Sequence, residues 1–284
     1  MPQQINTAFT LGALIRLTRF WNLVIIGLAQ YFTAGFLIDR ATLIDPKLLL
    51  LSVSTILIAA AGYIINDYYD VKIDLINKPD RVVIGKGITR RFAILFHTAL
   101  SFSGIGMGWL LNWKIGVVNF LSVFLLWLYS NYLKRLPFVG NFVVSLLTGL
   151  SIAIINLLYG VNNQLVIIYS LFAFFMTLIR EIIKDIEDLK GDNSFGCRTL
   201  PIIWGVRKTK VLIYALIGAF SVTVIVLNHL YVGLPVYYFL LFLFLPIGWL
   251  LTRLMRADTI KDFDQLSQLC KVIMLLGILT MVFV

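Results

Sequence analysis

The chain is poor in cysteine, histidine and charge. Its 284 residues include two cysteines and two histidines, and 13% are charged. Cys197 falls in a loop and Cys270 in an apolar run, so a disulfide framework is not expected, and two cysteines do not make a zinc site. His97 and His229 lie apart in apolar surroundings and are interpreted as packed or hydrogen-bonded side chains.

Long hydrophobic runs take the place of the missing charge. Hydrophobic residues make up 60% of the chain and the mean hydropathy is +0.92, which excludes an ordinary soluble domain. Nine runs are long enough to cross a bilayer as helices, and helices satisfy their own backbone groups in lipid. We therefore predict an all-α integral membrane protein with nine transmembrane helices in one bundle. The predicted spans are 21–38, 48–66, 92–111, 115–133, 139–159, 165–183, 211–228, 235–252 and 265–284.

The basic residues test this topology. With the N-terminus in the cytoplasm, 20 of the 24 lysines and arginines fall on the cytoplasmic side, as they do in multi-pass membrane proteins. The same bias accounts for the net charge of +10, so we predict no nucleic-acid partner. No required protein partner is inferred, and membrane lipids are the expected surroundings.

Acidic residues are few and concentrated in two segments. Of 14 acidic residues, nine lie within 67–80 or 181–192. Each segment contains the pattern D-x-x-D-x-x-x-D at the end of an apolar run. On a helix of about 100° per residue, these spacings bring three carboxylates into one arc of roughly 60°. The carboxylates are those of Asp67, Asp70 and Asp74, and of Asp185, Asp188 and Asp192.

Two such clusters indicate a divalent cation. The predicted topology places both on the cytoplasmic side, where they can face a common site beside basic loops. Magnesium prefers oxygen ligands and uses phosphate oxygens and water to complete its shell. Lysine and arginine can bind the remaining oxygens of a diphosphate. A solvated helix end is the alternative explanation of one copy of the pattern, and it is less satisfactory for two copies at equivalent positions.

A cation-coupled transporter is a different class that also places acids in membrane helices. Its acids are expected near the bilayer midplane, between discontinuous helices. Both clusters here lie at the cytoplasmic helix ends, which favours an enzyme. A non-catalytic lipid-binding scaffold would not need two such clusters.

The N-D-x-x-D-x-x-x-D motif of the second span, the D-x-x-D-x-x-x-D motif of the sixth and the nine spans together resemble the UbiA superfamily of membrane prenyltransferases. The resemblance covers essentially the whole chain. It implies one domain over 1–284, with nine helices around a central cavity and with cytoplasmic loops near 67–91 and 184–210 covering the site. It also implies two Mg²⁺ ions and an isoprenyl diphosphate donor. The implied metal ligands are Asn66, Asp67, Asp70, Asp74, Asp185, Asp188 and Asp192, of which Asp67, Asp70, Asp188 and Asp192 are also predicted to be catalytic.

Substrate-binding residues follow in part from the same resemblance. Arg19 and Asn22 resemble family residues at the opening of the first helix, and Tyr129 and Lys134 resemble those at the end of the fourth. Lys184 lies beside the acidic face of its helix, whereas Arg180 lies roughly on the other side. The residues predicted to bind substrate are Arg19, Asn22, Lys72, Arg81, Tyr129, Lys134, Lys184 and Arg198.

Local similarity points to one branch of the family. The run from Asn66 to Arg81, the run from Arg180 to Asp192 and the segment Gly196–Pro201 look like the branch that alkylates geranylgeranylglyceryl phosphate. The implied reaction is Mg²⁺-dependent transfer of an isoprenyl group, geranylgeranyl in this branch, from its diphosphate to a lipid hydroxyl. The alternative is an aromatic acceptor of the hydroxybenzoate, naphthoate or homogentisate type. The chain departs from the family at Arg81-Val82, where Arg-Pro is frequent, and this residue pair bears on the acceptor.

Overall fold

The structure is a computed structural model, and it describes residues 11–232 and 240–283. The side chains at 81, 231, 232, 240 and 242 lie outside that description. Every element within these ranges is helical, apart from an isolated bridge between Ile84 and Ile88. The prediction of an all-α protein is confirmed for this part of the chain.

Eleven α-helices are described. They are α1 Leu11–Leu17, α2 Phe20–Phe32, α3 Pro46–Asn77, α4 Arg90–Leu111, α5 Trp113–Asn131, α6 Val139–Tyr159, α7 Gln164–Glu187, α8 Leu189–Ser194, α9 Leu200–Leu227, α10 Leu245–Arg256 and α11 Ile260–Thr280. Short 3₁₀ helices lie at Arg40–Ile44, Pro79–Arg81, Leu133–Arg135 and Met281–Phe283, and π-helical turns at Thr33–Ile38, Asn228–Val232 and Leu240–Phe244.

Eight helices of the described ranges are long and apolar enough to cross a membrane. They are Phe20–Ile38, Pro46–Asn77, Arg90–Leu111, Trp113–Asn131, Val139–Tyr159, Gln164–Glu187, Leu200–Leu230 and Ile260–Phe283. Each matches one of the nine predicted spans. The ninth, 235–252, falls partly on residues 233–239, outside the described residues, and its described part ends in α10.

Contacts divide the chain into two compact units. One comprises Met1–Gly27 and Pro46–Leu133, and the other comprises Leu28–Asp45 and Lys134–Val284.

In the first unit α3, α4 and α5 pack against one another through small and polar residues. A Cβ atom on Gly104 would lie 2.6 Å from Ile58 Cγ1 and 3.0 Å from the Ser54 carbonyl oxygen, so α4 approaches α3 closely at this position. The Asn119 amide of α5 donates to Ser54 Oγ at 2.7 Å and to the Gly104 carbonyl at 3.0 Å. His97 is buried and its Nδ1 lies 3.0 Å from the Ala61 carbonyl, which confirms its interpretation as a hydrogen-bonded side chain.

The loop between α3 and α4 folds back onto its own unit. Ile84 and Ile88 are buried in a cluster with Leu17 and Ile64, around a turn in which Gly85 adopts a φ of 88°. Thr89 then caps α4, because its side chain accepts from the Phe92 N–H at 3.2 Å. The second half of the loop is therefore anchored to the first unit and to the start of α4.

In the second unit α7 is the central helix. It packs against α6, α9 and α11, and 72% of its most apolar stretch is buried, the largest share among the eight helices. Met176, Ile179 and Ile183 lie at the heart of the core, together with Phe220 of α9 and Cys270 of α11. Neither Cys197 nor Cys270 is disulfide-bonded in the described part of the chain.

Candidate active site

The first acidic motif lies on the last turns of α3. Asn66, Asp67, Asp70 and Asp74 are half-buried and follow the apolar part of a helix that continues to Asn77. Three neighbouring carboxylates repel one another, and Asp74, near the last turn of the helix, also repels the partial negative charge of the helix C-terminus. A bound cation relieves both repulsions.

Arg19 supplies one cation to this motif. Its Nη2 lies 2.8 Å from Asp67 Oδ1, and its guanidinium carbon lies 4.9 Å from the centre of the Tyr63 ring. The Asn22 amide donates to the Tyr63 hydroxyl at 3.4 Å. Two predicted substrate-binding residues therefore lie beside the first motif, in its own unit.

The backbone of Arg19 is unusual. It occupies the break between α1 and α2 with a φ of 51°, in the left-handed region that disfavours residues with a Cβ atom. This conformation costs about 1–2 kcal/mol. The ion pair with Asp67 and the stacking on Tyr63 offset that cost and fix the direction of the side chain.

Other predicted substrate-binding residues lie near the motifs in sequence, and the structure places each one separately. Lys72 is exposed on α3, between Asp70 and Asp74. Tyr129 is half-buried on α5, and Lys134 lies in the 3₁₀ turn Leu133–Arg135. The side chain of Arg81 lies outside the described residues.

The second motif spans a helix break. Asp185 lies on α7, Asp188 lies between α7 and α8, and Asp192 lies on α8. The expectation of one continuous helix is wrong here, because α7 ends at Glu187. The Asp188 N–H still donates to the Lys184 carbonyl at 2.8 Å, and the Asp192 N–H to the Asp188 carbonyl at 3.1 Å. The helical sense therefore continues across the break.

Asp185 lies among other charged groups of its unit. The carboxylates of Asp192 and Glu181 are near enough to repel its charge, and Lys184 is near enough to attract it. Asp185 Oδ2 accepts a hydrogen bond of 3.0 Å from the Asn141 amide. The second motif thus concentrates negative charge in a poorly hydrated place, which favours a cation.

Glu181 connects the basic residues of α7. Its carboxylate pairs with the Arg180 guanidinium, and Lys184 Nζ lies 3.8 Å from its Oε2. Arg180, which the sequence places roughly on the other side of the helix from the acidic face, reaches its neighbour Glu181 with its long side chain. Lys184 lies beside the acidic face, as its position in the sequence predicts.

The loop after α8 is held by its backbone. The Cys197 N–H donates to the Asp192 carbonyl at 3.0 Å, and the Arg198 N–H donates to the Arg135 carbonyl at 2.8 Å. Gly196 makes the turn with a φ of 70°. The Arg198 side chain is exposed, so a predicted substrate-binding residue stands on a loop that is fastened to the second motif.

The carboxylates fit magnesium chemically. In the described ranges no group of three or more His, Cys, Asp or Glu side chains is arranged to hold a metal ion by itself. Magnesium is usually bound through one or two carboxylates, with substrate phosphates and water completing its octahedron. The half-buried oxygen donors of the two motifs match that mode of binding and do not match an all-protein cage.

The sequence did not single out Asn141 or Tyr63. Asn141 contacts Asp185 of the second motif, and Tyr63 contacts Arg19 and Asn22 beside the first motif. Asn141 is an amide near the start of an apolar span, and such a residue is costly in lipid unless it is hydrogen-bonded. The cost of placing an amide in lipid was therefore the sequence signal that could have identified Asn141. Tyr63 had none, because tyrosines are common at membrane interfaces.

Comparison with known proteins places the chain. A model of the UbiA prenyltransferase family matches residues 28–269. The digeranylgeranylglyceryl phosphate synthase of Saccharolobus solfataricus is 33% identical over 275 residues, which are 95% of each chain. A solved structure concerning digeranylgeranylglyceryl phosphate synthase in membranes matches with a TM-score of 0.70 and 25% identity, over 96% of this chain and 97% of that one.

A second solved structure, a UbiA homolog from Archaeoglobus fulgidus bound to GPP and Mg²⁺, has a TM-score of 0.67 and 14% identity, over 96% of this chain and all of that one (100%). At that identity the likeness concerns the fold alone. The match of the family model and the identity to a full-length relative go further: this chain belongs to the UbiA prenyltransferase family and is a multi-pass membrane prenyltransferase.

Proposed function

We propose that the chain transfers a geranylgeranyl group from geranylgeranyl diphosphate to the glycerol hydroxyl of geranylgeranylglyceryl phosphate. The observation that carries this proposal is the 33% identity, over 95% of both chains, to a digeranylgeranylglyceryl phosphate synthase. The product in that name contains two geranylgeranyl groups on one glyceryl phosphate, which supports geranylgeranylglyceryl phosphate as the acceptor.

The two acidic motifs would hold Mg²⁺ in this reaction, with two ions bound. The proposed metal ligands are Asn66, Asp67, Asp70, Asp74, Asp185, Asp188 and Asp192, and the catalytic residues among the motifs are Asp67, Asp70, Asp188 and Asp192. When bound, magnesium supplies positive charge to the departing diphosphate. The charge density around Asp185 and the concentration of three carboxylates on the last turns of α3 support this assignment.

The basic residues of the chain bind the rest of the diphosphate in this proposal. Arg19 lies against Asp67, and Lys184 lies within 3.8 Å of Glu181, so each cation is already held beside a motif. Lys72, Arg81, Lys134 and Arg198 would add charge, while Asn22 and Tyr129 would contribute polar contacts. Preorganised cations of this kind stabilise the negative charge that develops on a leaving group.

The bond changes are simple. The ester bond between the allylic C1 of the donor and the diphosphate oxygen attached to it breaks, and the electron pair of that bond leaves with the diphosphate. The acceptor hydroxyl oxygen forms an ether bond to C1, and its proton passes to the released diphosphate or to solvent water. Water would capture the same carbon, so the apolar helices must keep the reacting atoms dry.

The topology belongs to the same proposal. Nine helices would surround a central cavity in one domain over 1–284, with the N-terminus in the cytoplasm and the active site open to the cytoplasmic side of the cell membrane. The loops at 67–91 and 184–210 would cover the site. The distribution of basic residues, 20 of 24 on one predicted side, supports this orientation.

The test is an acceptor comparison. Purified protein is incubated with geranylgeranyl diphosphate and Mg²⁺, and either geranylgeranylglyceryl phosphate or one of the aromatic acids hydroxybenzoate, naphthoate and homogentisate. Mass spectrometry should detect digeranylgeranylglyceryl phosphate and no prenylated aromatic product. Prenylation of an aromatic acid alone would show that the acceptor assignment is wrong while the prenyltransferase activity is right.

A further inference from the structure

Asn141 makes the contact that the sequence did not anticipate. It is the third residue of α6, is 7% exposed, and donates from Nδ2 to Asp185 Oδ2 at 3.0 Å. Both residues belong to the second unit. Burying an amide in an apolar helix costs free energy unless the amide is hydrogen-bonded. The hydrogen-bond partner of Asn141 is a carboxylate of the second motif.

The start of α6 has a strained backbone that aromatic contacts hold in place. Phe138, just before the helix, has a φ of 66°, and its carbonyl accepts from the Phe142 N–H at 2.9 Å. The rings of Phe138 and Phe142 lie 6.1 Å apart, and Phe142 meets Phe174 of α7 edge-on at 5.5 Å. A strained conformation persists only where its surroundings determine it. The surroundings here fix the turn that carries Asn141.

The register between α6 and α7 is fixed further along. A Cβ atom on Gly149 would lie 2.9 Å from the Ser170 carbonyl oxygen, so the two backbones nearly touch. Ser145 is fully buried and donates to the Asn141 carbonyl at 2.6 Å, within α6 itself. Asn141 therefore has little freedom to move away from Asp185.

The amide suits a carboxylate that has to bind a cation. Asp192 and Glu181 repel the charge of Asp185, and a buried carboxylate needs at least one donor. An arginine or lysine in place of Asn141 would cancel the charge that attracts the metal. A neutral amide stabilises the carboxylate, occupies one position on Oδ2 and leaves Oδ1 for a metal ion.

We propose that Asn141 is a positioning residue of the metal site: it orients the Asp185 carboxylate of α7 from the start of α6. This inference rests on the proposed role of Asp185 as a metal ligand. Partners of metal-ligating carboxylates typically contribute tenfold to a hundredfold to metal affinity.

The experiment measures Mn²⁺ binding by the full chain in lipid nanodiscs, from the electron paramagnetic resonance signal of free Mn²⁺. Asn141→Ala and Asn141→Leu both remove the amide, but they differ in side-chain volume. If one of them fails to fold, the other still tests the inference. Thr148→Ala is the matched control, since it removes a partly buried hydroxyl of the same helix that donates to the Val144 carbonyl and contacts neither Asn141 nor Asp185. Asp185→Asn tests the proposed metal role itself, and thermal melting without metal shows that each protein is folded.

The expected result is a dissociation constant for Mn²⁺ raised about tenfold in the Asn141 variants. Thr148→Ala should bind Mn²⁺ with the affinity of the unchanged protein. On the Asp185→Asn background, Asn141→Ala should change the affinity by less than about twofold, because its effect passes through Asp185.

Two results overturn the inference in distinguishable ways. If Asp185→Asn weakens binding and the folded Asn141 variants do not, Asn141 has no positioning role and the proposed metal site stands. If Asp185→Asn itself binds Mn²⁺ with unchanged affinity, the metal role of Asp185 fails and the role of Asn141 fails with it.

Discussion

At the scale of single residues, the side chains around each motif already carry partners that a bound substrate or metal would have to share. Asp67 is paired with Arg19, Asp185 with Asn141, and Glu181 with Lys184. These pairs offset the free-energy cost of partly buried charges in a chain in which only 13% of the residues are charged. They also preorganise donors and acceptors, so less reorganisation is needed when a diphosphate binds.

Arg19 gives a prediction at this scale, because its backbone and its side chain have opposite effects. Arg19→Ala and Arg19→Gly both remove the ion pair to Asp67 and the stacking on Tyr63. Only glycine adopts the left-handed backbone conformation without a steric cost. The glycine variant should therefore be more stable than the alanine variant by about 1 kcal/mol or more. Thermal melting should therefore rank the glycine variant above the alanine variant. Equal melting temperatures would show that the φ of 51° stores no strain.

The sequence could predict the motif residues because carboxylates at regular spacing stand out in an apolar chain. It could not predict the Asn141 contact, since a single amide carries no spacing and its partner lies 44 residues away. The break of the second motif at Asp188 was also missed, because D-x-x-D-x-x-x-D is the same on one helix or on two. The roles of the motif residues stay predictions.

At the scale of elements, hydropathy located the spans and missed where the helices end. The span predicted at 48–66 belongs to a helix that continues to Asn77, and the one predicted at 165–183 to a helix that continues to Glu187. Hydropathy reports what lipid tolerates, whereas a helix continues as long as its backbone bonds are favourable. The extra turns are the ones that carry Asp67, Asp70, Asp74 and Asp185.

The glycines of α4 give a prediction at the scale of elements. Gly104→Ala would place a Cβ atom 2.6 Å from Ile58 Cγ1, whereas a Cβ atom on Gly106 would meet nothing within 4 Å. Overpacking of this kind costs typically 1–3 kcal/mol, about the range expected for Gly104→Ala. Gly106→Ala should be neutral or stabilising, by up to about 1 kcal/mol, because alanine favours the helix. Melting temperatures of the purified variants measure both, and equal losses would contradict the close approach of α3 and α4.

At the scale of the whole molecule, the family membership and the predicted orientation explain why a chain so short of charge keeps most of its acids together. The predicted orientation of the spans, with the loop before α4 in the cytoplasm, can be checked by a labelling experiment. In a background without Cys197 and Cys270, Lys86→Cys should react with a membrane-impermeant maleimide only from the cytoplasmic side, and Lys114→Cys only from the opposite side. Labelling of both from the same side would contradict the topology.

The proposal that both acidic motifs serve one Mg²⁺-dependent prenyl transfer can be tested directly. The direct measurement is diphosphate release from geranylgeranyl diphosphate in the presence of the acceptor, for Asp70→Ala, Asp188→Ala and the control Asp258→Asn. Asp258 is suitable because its side chain is 89% exposed and lies outside both motifs. We predict a loss of about a hundredfold or more in each motif variant and an unchanged rate in the control. Retention of the full rate by either folded motif variant would show that its motif does not serve the reaction.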